Sequence, residues 1–203
     1  MIGSLAKAIK KVFGDKYQRD LKEVTPLVER TNAEYAKLGN LSHDELRAKS
    51  AGLKTRIADA TRTNDDRVAG LRAEIDADPQ MDIHERETRY EQIDKLQEQS
   101  VVLIEEVLLE ILPEAFAIVK DTARRFKENK ELRVRATDID RELATKRPDA
   151  ITIDGDHAIW KNTWIAAGNP VTWDMLHYYV QLIGGVALHK RRIAELGTGG
   201  GKT

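Results

Sequence analysis

The chain has 203 residues, a net charge of −1, 33% charged and 5% aromatic residues, and no cysteine. That excludes a disulfide framework and any thiolate nucleophile or metal site, and it argues against nucleic-acid binding through bulk charge. Apolar runs such as Val101-Val102-Leu103-Ile104 are far shorter than the ~20 residues of a membrane-crossing helix, and Lys10 and Lys11 interrupt the N-terminus where a signal peptide would be apolar. A cytosolic chain built on long amphipathic helices is expected.

In chain order, Ile2, Leu5, Ile9, Val12 and Phe13 share one helical face, with Lys7, Lys10 and Lys11 elsewhere on the wheel and Gly14 as a stop. Six Lys or Arg residues stand against two Asp between Met1 and Lys22. Such a helix either lies on an anionic membrane surface or packs as an ordinary helix with solvated lysines. A second helix is predicted from about Tyr17 to Lys37, with Pro26 as a kink or break. Ser42-His43-Asp44-Glu45 reads as a capping box that opens a helix from His43 to about Ala60. Residues 61–81 are polar and contain Pro79, predicting a weak helix plus a loop. From Asp82 to Leu112 the apolar spacing is helical. Pro113 is expected to break it, with a new helix over Glu114 to Asn129 and a polar helical stretch to about Ala144.

The texture then changes. Ile151-Thr152-Ile153 and His157-Ala158-Ile159-Trp160 flank Asp154-Gly155-Asp156 and predict a small β-hairpin. Gly168-Asn169-Pro170 reads as a turn, and Thr172 as the cap of a short helix near Trp173. Val180 to Leu188 is apolar around Gly184-Gly185, and Lys190 to Leu196 is a short strand candidate.

The last eight residues, Leu196-Gly197-Thr198-Gly199-Gly200-Gly201-Lys202-Thr203, carry a specific chemistry. Glycines let successive backbone N–H groups point at one anion. A following Lys reaches the β- and γ-phosphates, and a Thr hydroxyl ligates Mg²⁺. Leu196 stands where the strict G-x-x-x-x-G-K-[ST] pattern has Gly. Alone, the stretch is either a phosphate loop of the looser T-G-x-G-K-T form or a Gly-rich tail. Other candidates are weak. His43, His84, His157, His177 and His189 lack metal-ligand spacing. Asp154 and Asp156 are turn formers. Lys190-Arg191-Arg192 reads more readily as a solvated charge run than as an RNA or phosphate contact, and Trp160, Trp164 and Trp173 as local core or interface.

Three stretches together resemble SecA, the ATP-driven motor of bacterial preprotein export. Leu112-Pro113-Glu114-Ala115-Phe116-Ala117-Ile118-Val119-Lys120 is similar to the family's L-P-E-A-F-A-V-V helix. Met175 to Leu188 is similar to its M-x-H-[FY]-D-V-Q-L-[IL]-G-G segment, and Ile193 to Thr203 to I-A-E-M-x-T-G-E-G-K-T. Val12-Phe13-Gly14 and Leu41 to Leu46 resemble the family's opening, and the hairpin and extra length look like its Bacteroidetes-type branch. Gly200 replaces the family's Glu, Gly197 a larger residue, and Tyr179 the Asp before Val-Gln. The resemblance implies that Gln181 recognises adenine, that Gly199, Gly200 and Gly201 cradle phosphates with Lys202, and that Thr203 holds Mg²⁺ beside ATP. It also implies contact of Lys7, Lys10 and Lys11 with anionic lipid and a SecY-type channel, preproteins as substrate, homodimerisation of the intact protein, and a place on the cytoplasmic face of the inner membrane.

The fold expected is mainly α, with a small hairpin and the first strand of an α/β phosphate-loop lobe. Residues 1–14 form the basic helix, 15–150 a helical region with a lineage-type insertion, and 151–203 the start of the nucleotide lobe. No Walker B Asp-Glu and no second-lobe arginine follow the phosphate loop here, so the 203 residues are expected to be an N-terminal fragment that does not hydrolyse ATP by itself. The alternative is a helical adaptor for membranes or partners, without nucleotide dependence.

Overall fold

The computed structural model describes residues 16–195. The described residues form five helices and five short strands. The mainly α fold with small β elements is as expected. The chain divides into two compact units: residues up to Leu46 together with those from Phe116 onward, and Arg47 to Ala115.

The first helix, α1, spans Lys16–Ala36 and runs through Pro26. Proline removes one helical N–H bond, yet Val24 and Val28 are buried on one face and Thr31 follows a turn later. Their packing holds the helix across the missing bond. The expected capping box is present: Ser42 N donates to Glu45 Oε2 (2.7 Å) and Glu45 N to Ser42 Oγ (3.2 Å). It opens α2, His43–Ala77. The weak helix and loop expected over 61–81 is a correction. Val68, Leu71 and Ile75 recur at helical spacing, so α2 continues to Ala77, and the connection to the next helix is only the short segment around Pro79.

The next helix, α3, spans Ile83–Glu128 without interruption. The break expected at Pro113 does not occur. Pro113 is fully buried, and Leu112, Ala117 and Ile118 around it are buried. A break would expose that apolar run, and its burial outweighs the ~3 kcal/mol a helix-interior proline costs.

Within the unit of residues 47–115, the two helices pair antiparallel. Val68, Ile75, Ile93 and Leu96 form its core, with Leu71 and Met81 packed against it. Asn64 Nδ2 reaches Ser100 Oγ at 3.2 Å. Arg56 bridges Glu110 and Glu114, and Arg89 pairs with Glu74.

In the other unit, the polar helix expected to about Ala144 is replaced by strand β1, Glu131–Arg135, and a short helix α4, Asp138–Lys146. Glu-Leu-Arg-Val-Arg alternates exposed and buried, which is strand periodicity. Thr137 caps α4 in a box with Asp140. The predicted hairpin forms as β2, Ile151–Asp154, and β3, His157–Lys161, turning through Gly155 at φ +56°. β1 joins it antiparallel in the order β1-β3-β2. The core of this sheet is Val134, Ile151 and Ala158, with Leu143 of α4 and Trp160 alongside.

A second hairpin follows: β4, Thr163–Ala166, and β5, Asn169–Thr172. The turn read at Gly168 joins them, with Ala167 and Gly168 both at positive φ. Thr172 therefore ends a strand and caps no helix. The last helix, α5, starts later and spans Tyr179–His189. The strand expected over Lys190 to Leu196 is not formed among the described residues. Lys190 caps α5, Arg191 turns at φ +58°, and 192–195 carry no regular structure.

Candidate functional site

The site lies on α5 and on what seats it. Leu182, Gly184 and Val186 are buried, and this face packs on α1. The end of α5 is tied to the same helix by charge. Lys190 pairs with Glu23 at 2.6 Å, and Arg192 with Glu23 at 2.8 Å and Asp20 at 3.3 Å. The Glu23 carboxyl is held below its ordinary pKa, first by Lys190 and then by Arg192. Lys190 and Arg192, read from sequence as part of a solvated run, are thus paired.

Gln181 occupies the third position of α5, and its Oε1 accepts the Tyr178 backbone N–H at 2.7 Å. The helix start thereby fixes the amide's orientation. One turn on is Gly185. A Cβ built there would lie 2.9 Å from Phe116 Cζ and 3.0 Å from Phe116 Cε2. The ring of the Leu-Pro-Glu-Ala-Phe stretch therefore lies directly on the Gly-Gly stretch.

One turn beyond Phe116 on α3, Lys120 Nζ donates to Asn32 Oδ1 (2.9 Å) and sits 4.8 Å above the Tyr35 ring. Burial raises the Tyr35 hydroxyl pKa. His177 lies just before α5, with Nδ1 enclosed and without a partner among the described residues. Its pKa is lowered by burial first and by the Lys120 charge second. Beside this lies a buried ion cluster. Asp121 accepts Arg125 Nε at 2.6 Å and Arg124 Nη2 at 2.8 Å, while Arg125 also donates to Leu38 O at 3.1 Å and meets His43 Nδ1 at 2.9 Å. Burial, then the Arg125 charge, lowers the His43 pKa.

Of the residues named from sequence, Gln181 is in the described structure. Gly199, Gly200, Gly201, Lys202, Thr203, Lys7, Lys10 and Lys11 lie outside the described residues. Sequence reading did not reach the Phe116–Gly185 contact, although both residues stand in stretches singled out for their pattern. Nor did it reach the contacts of Lys120, the last residue of the Leu112 to Lys120 stretch, or Asp121 and Arg125, which carry no motif of their own. Among the described residues no cluster of His, Asp and Glu could hold a metal ion, and no helix is long and apolar enough to cross a membrane.

A family model described as the SecA DEAD-like domain matches residues 9–203. The chain belongs to the SecA family. The protein translocase subunit SecA of Christiangramia forsetii is 49% identical over 199 residues, 98% of this chain and 18% of that protein. The subunit of the same name from Porphyromonas gingivalis strain W83 is 49% identical over 193 residues, 95% of this chain and 17% of its own. That of Amoebophilus asiaticus is 50% identical over 199 residues, 98% and 18%. The chain therefore spans less than a fifth of the length of these SecA relatives. No solved structure matches it.

Proposed function

We propose that these residues are the part of a SecA-type protein-translocating ATPase that seats the adenine of ATP and opens its phosphate loop. The observation that carries this is the family match over 9–203. Gln181 supports it. An amide oxygen has two lone pairs, so Oε1 can keep the Tyr178 bond while accepting from a base. The amide is held in one orientation by the helix start, as recognition of a flat base edge requires.

In this reading, Gly199, Gly200 and Gly201 offer backbone N–H groups to the phosphates, Lys202 adds its charge, and the Thr203 hydroxyl would hold Mg²⁺. The metal, when bound, neutralises charge on the phosphates. Three consecutive glycines leave more backbone freedom to lose, at ~1–2 kcal/mol per ordered residue, so the loop binds less tightly than one with Glu at 200. Residues 151–203 open the nucleotide lobe, 15–150 form the helical region before it, and 1–14 supply the basic helix. Lys7, Lys10 and Lys11 would touch anionic lipid and a SecY-type channel on the cytoplasmic membrane face. Preproteins are the substrate, and the intact protein pairs as a homodimer. Residues 1–203 alone do not turn over ATP, because no Asp-Glu pair follows the loop within them to hold Mg²⁺ and position water.

The test is a titration with fluorescent ADP of a chain carried on to the length of its relatives. Saturable, Mg²⁺-dependent binding that Lys202→Ala reduces at least about tenfold is expected, since a charged phosphate contact contributes ~1.5–3 kcal/mol. No binding in either protein would overturn the motor reading and favour a helical adaptor.

A further inference from the structure

We propose that Phe116 and Gly185 are positioning residues for Gln181. The ring of Phe116 is the stop against which α5 seats, and the missing side chain at Gly185 lets the helix come close enough to present Gln181 correctly. The inference rests on the reading of Gln181 as the adenine contact.

Gln181 and Gly185 are four residues apart on α5, hence on one helical face, stacked a turn apart. At Gly185 the nearest neighbours of a built Cβ are three atoms of the Phe116 ring, at 2.9, 3.0 and 3.9 Å. Carbon atoms pack at ~3.5–4.0 Å. A methyl at 185 therefore demands a shift of about 0.6 Å or more of the ring or the helix. Recognition groups have to be held to within about 0.5 Å of their working geometry, so a shift of that size is enough to misplace the amide.

Phe116 presents the end of a half-buried ring to Gly185, so a methyl there is met by a shift shared between the ring and the helix. Phe116 is followed in α3 by Ala117 and Ile118, both buried, and preceded by the buried Leu112 and Pro113, so its backbone is anchored. On the adjoining face of α5, Leu182 and Val186 are buried. The Tyr178–Gln181 bond couples any movement of α5 directly to the amide. Gly39, Gly52, Gly70, Gly155 and Gly168 have nothing within 4 Å of a built Cβ. The close approach at Gly185 is thus a specific contact between two sequence-distant stretches.

The experiment is competitive displacement of fluorescent ADP by ATP and by GTP, in the full-length protein, for the parent, Gln181→Ala, Gly185→Ala, and Gly185→Ala combined with Phe116→Leu. Binding is read, so turnover is not required. The expected result is a loss of ATP-over-GTP preference of about tenfold in Gln181→Ala, one hydrogen bond's worth. Gly185→Ala should lose a similar share, and Phe116→Leu should restore it by removing the ring that the new methyl meets. Alanine raises helix propensity over glycine, so the single variant is not expected to unfold, and its melting temperature checks this. If Gly185→Ala keeps the parent's preference while Gln181→Ala loses it, the positioning role is wrong and the adenine reading stands. If Gly185→Ala weakens ATP and GTP equally, its role is only structural, and the proposal is again wrong. If Gln181→Ala keeps the preference, the adenine reading itself fails and takes this inference with it.

Discussion

Asp121 is 1% exposed and accepts from two guanidinium groups, one of which, on Arg125, is itself 5% exposed. A buried carboxylate is tolerable only when it is paired and hydrogen-bonded, and here three guanidinium N–H groups reach it. Arg125 carries the cluster to Leu38 O and His43 Nδ1, so one side chain closes the turn that joins α1 to α2. Removing the charge at 121 leaves Arg125 buried without its counter-ion. Asp121→Asn should cost about 3 kcal/mol of stability by urea unfolding, the lower end for breaking a buried pair; a cost under about 1 kcal/mol would mean that the cluster relaxes into solvent. None of this was legible in the sequence. The chain has 34 acidic residues, and nothing local marks Asp121 as the one that goes inside. Gln181 could be singled out because its neighbours carry a pattern, whereas its bond to the Tyr178 N–H could not, because a backbone N–H leaves no trace in side-chain identity.

At the scale of elements, Pro113 and the Ser42 capping box were read with opposite success. Ser42–Glu45 gave the start of α2 correctly because a capping box is a local device, with both bonds inside four residues. Pro26 was expected as a kink or a break and Pro113 as a break; neither ends its helix, because buried neighbours on the same helix outweigh one missing bond. β1 was read as helix although Leu132 and Val134 alternate with charged residues; the period was there and the surrounding polarity obscured it. The Met175 to Leu188 stretch suggests one improvement. Tyr179 opens α5 and is 47% exposed, the first turn contains no acidic residue, and the family pattern has Asp there. A carboxylate at a helix N-terminus gains from the macrodipole and from orphan N–H groups. Tyr179→Asp should therefore stabilise α5 by about 0.5 kcal/mol, visible as slower amide exchange over 182–188. Unchanged or faster exchange would show that the Tyr179 ring contributes more than the dipole.

At the scale of the whole molecule, the shifted titrations all lie in the unit of residues up to Leu46 and from Phe116 onward, and they predict how stability depends on pH. His43 and His177 are both lowered, each mainly by burial, so the unfolded chain takes up protons first as the pH falls below ~6.5. Their contribution is complete above that value and is lost as the pH falls through their folded pKa values. Glu23 and Glu45 are lowered by Lys190 and by the Ser42 bonds respectively, and Asp149 is lowered to about 2 by Arg147 and the Ile165 N–H. Their contribution is complete above ~4.5 and goes at lower pH. Tyr35 is raised by burial, so its contribution is present below ~10 and is lost as the pH rises beyond. The urea midpoint should accordingly be flat between about pH 7 and 10 and fall in two acid steps. The causes separate the steps. Desolvation of a histidine is insensitive to salt, whereas Glu23 and Asp149 owe their shifts first to ion pairs at the surface, which salt screens. In 1 M salt the lower step should shrink and the upper one persist, and His43→Gln should reduce the upper step to the share of His177 while leaving the lower one unchanged. An upper step that vanished in salt would mean that the Arg125 and Lys120 charges, rather than burial, keep these two rings neutral.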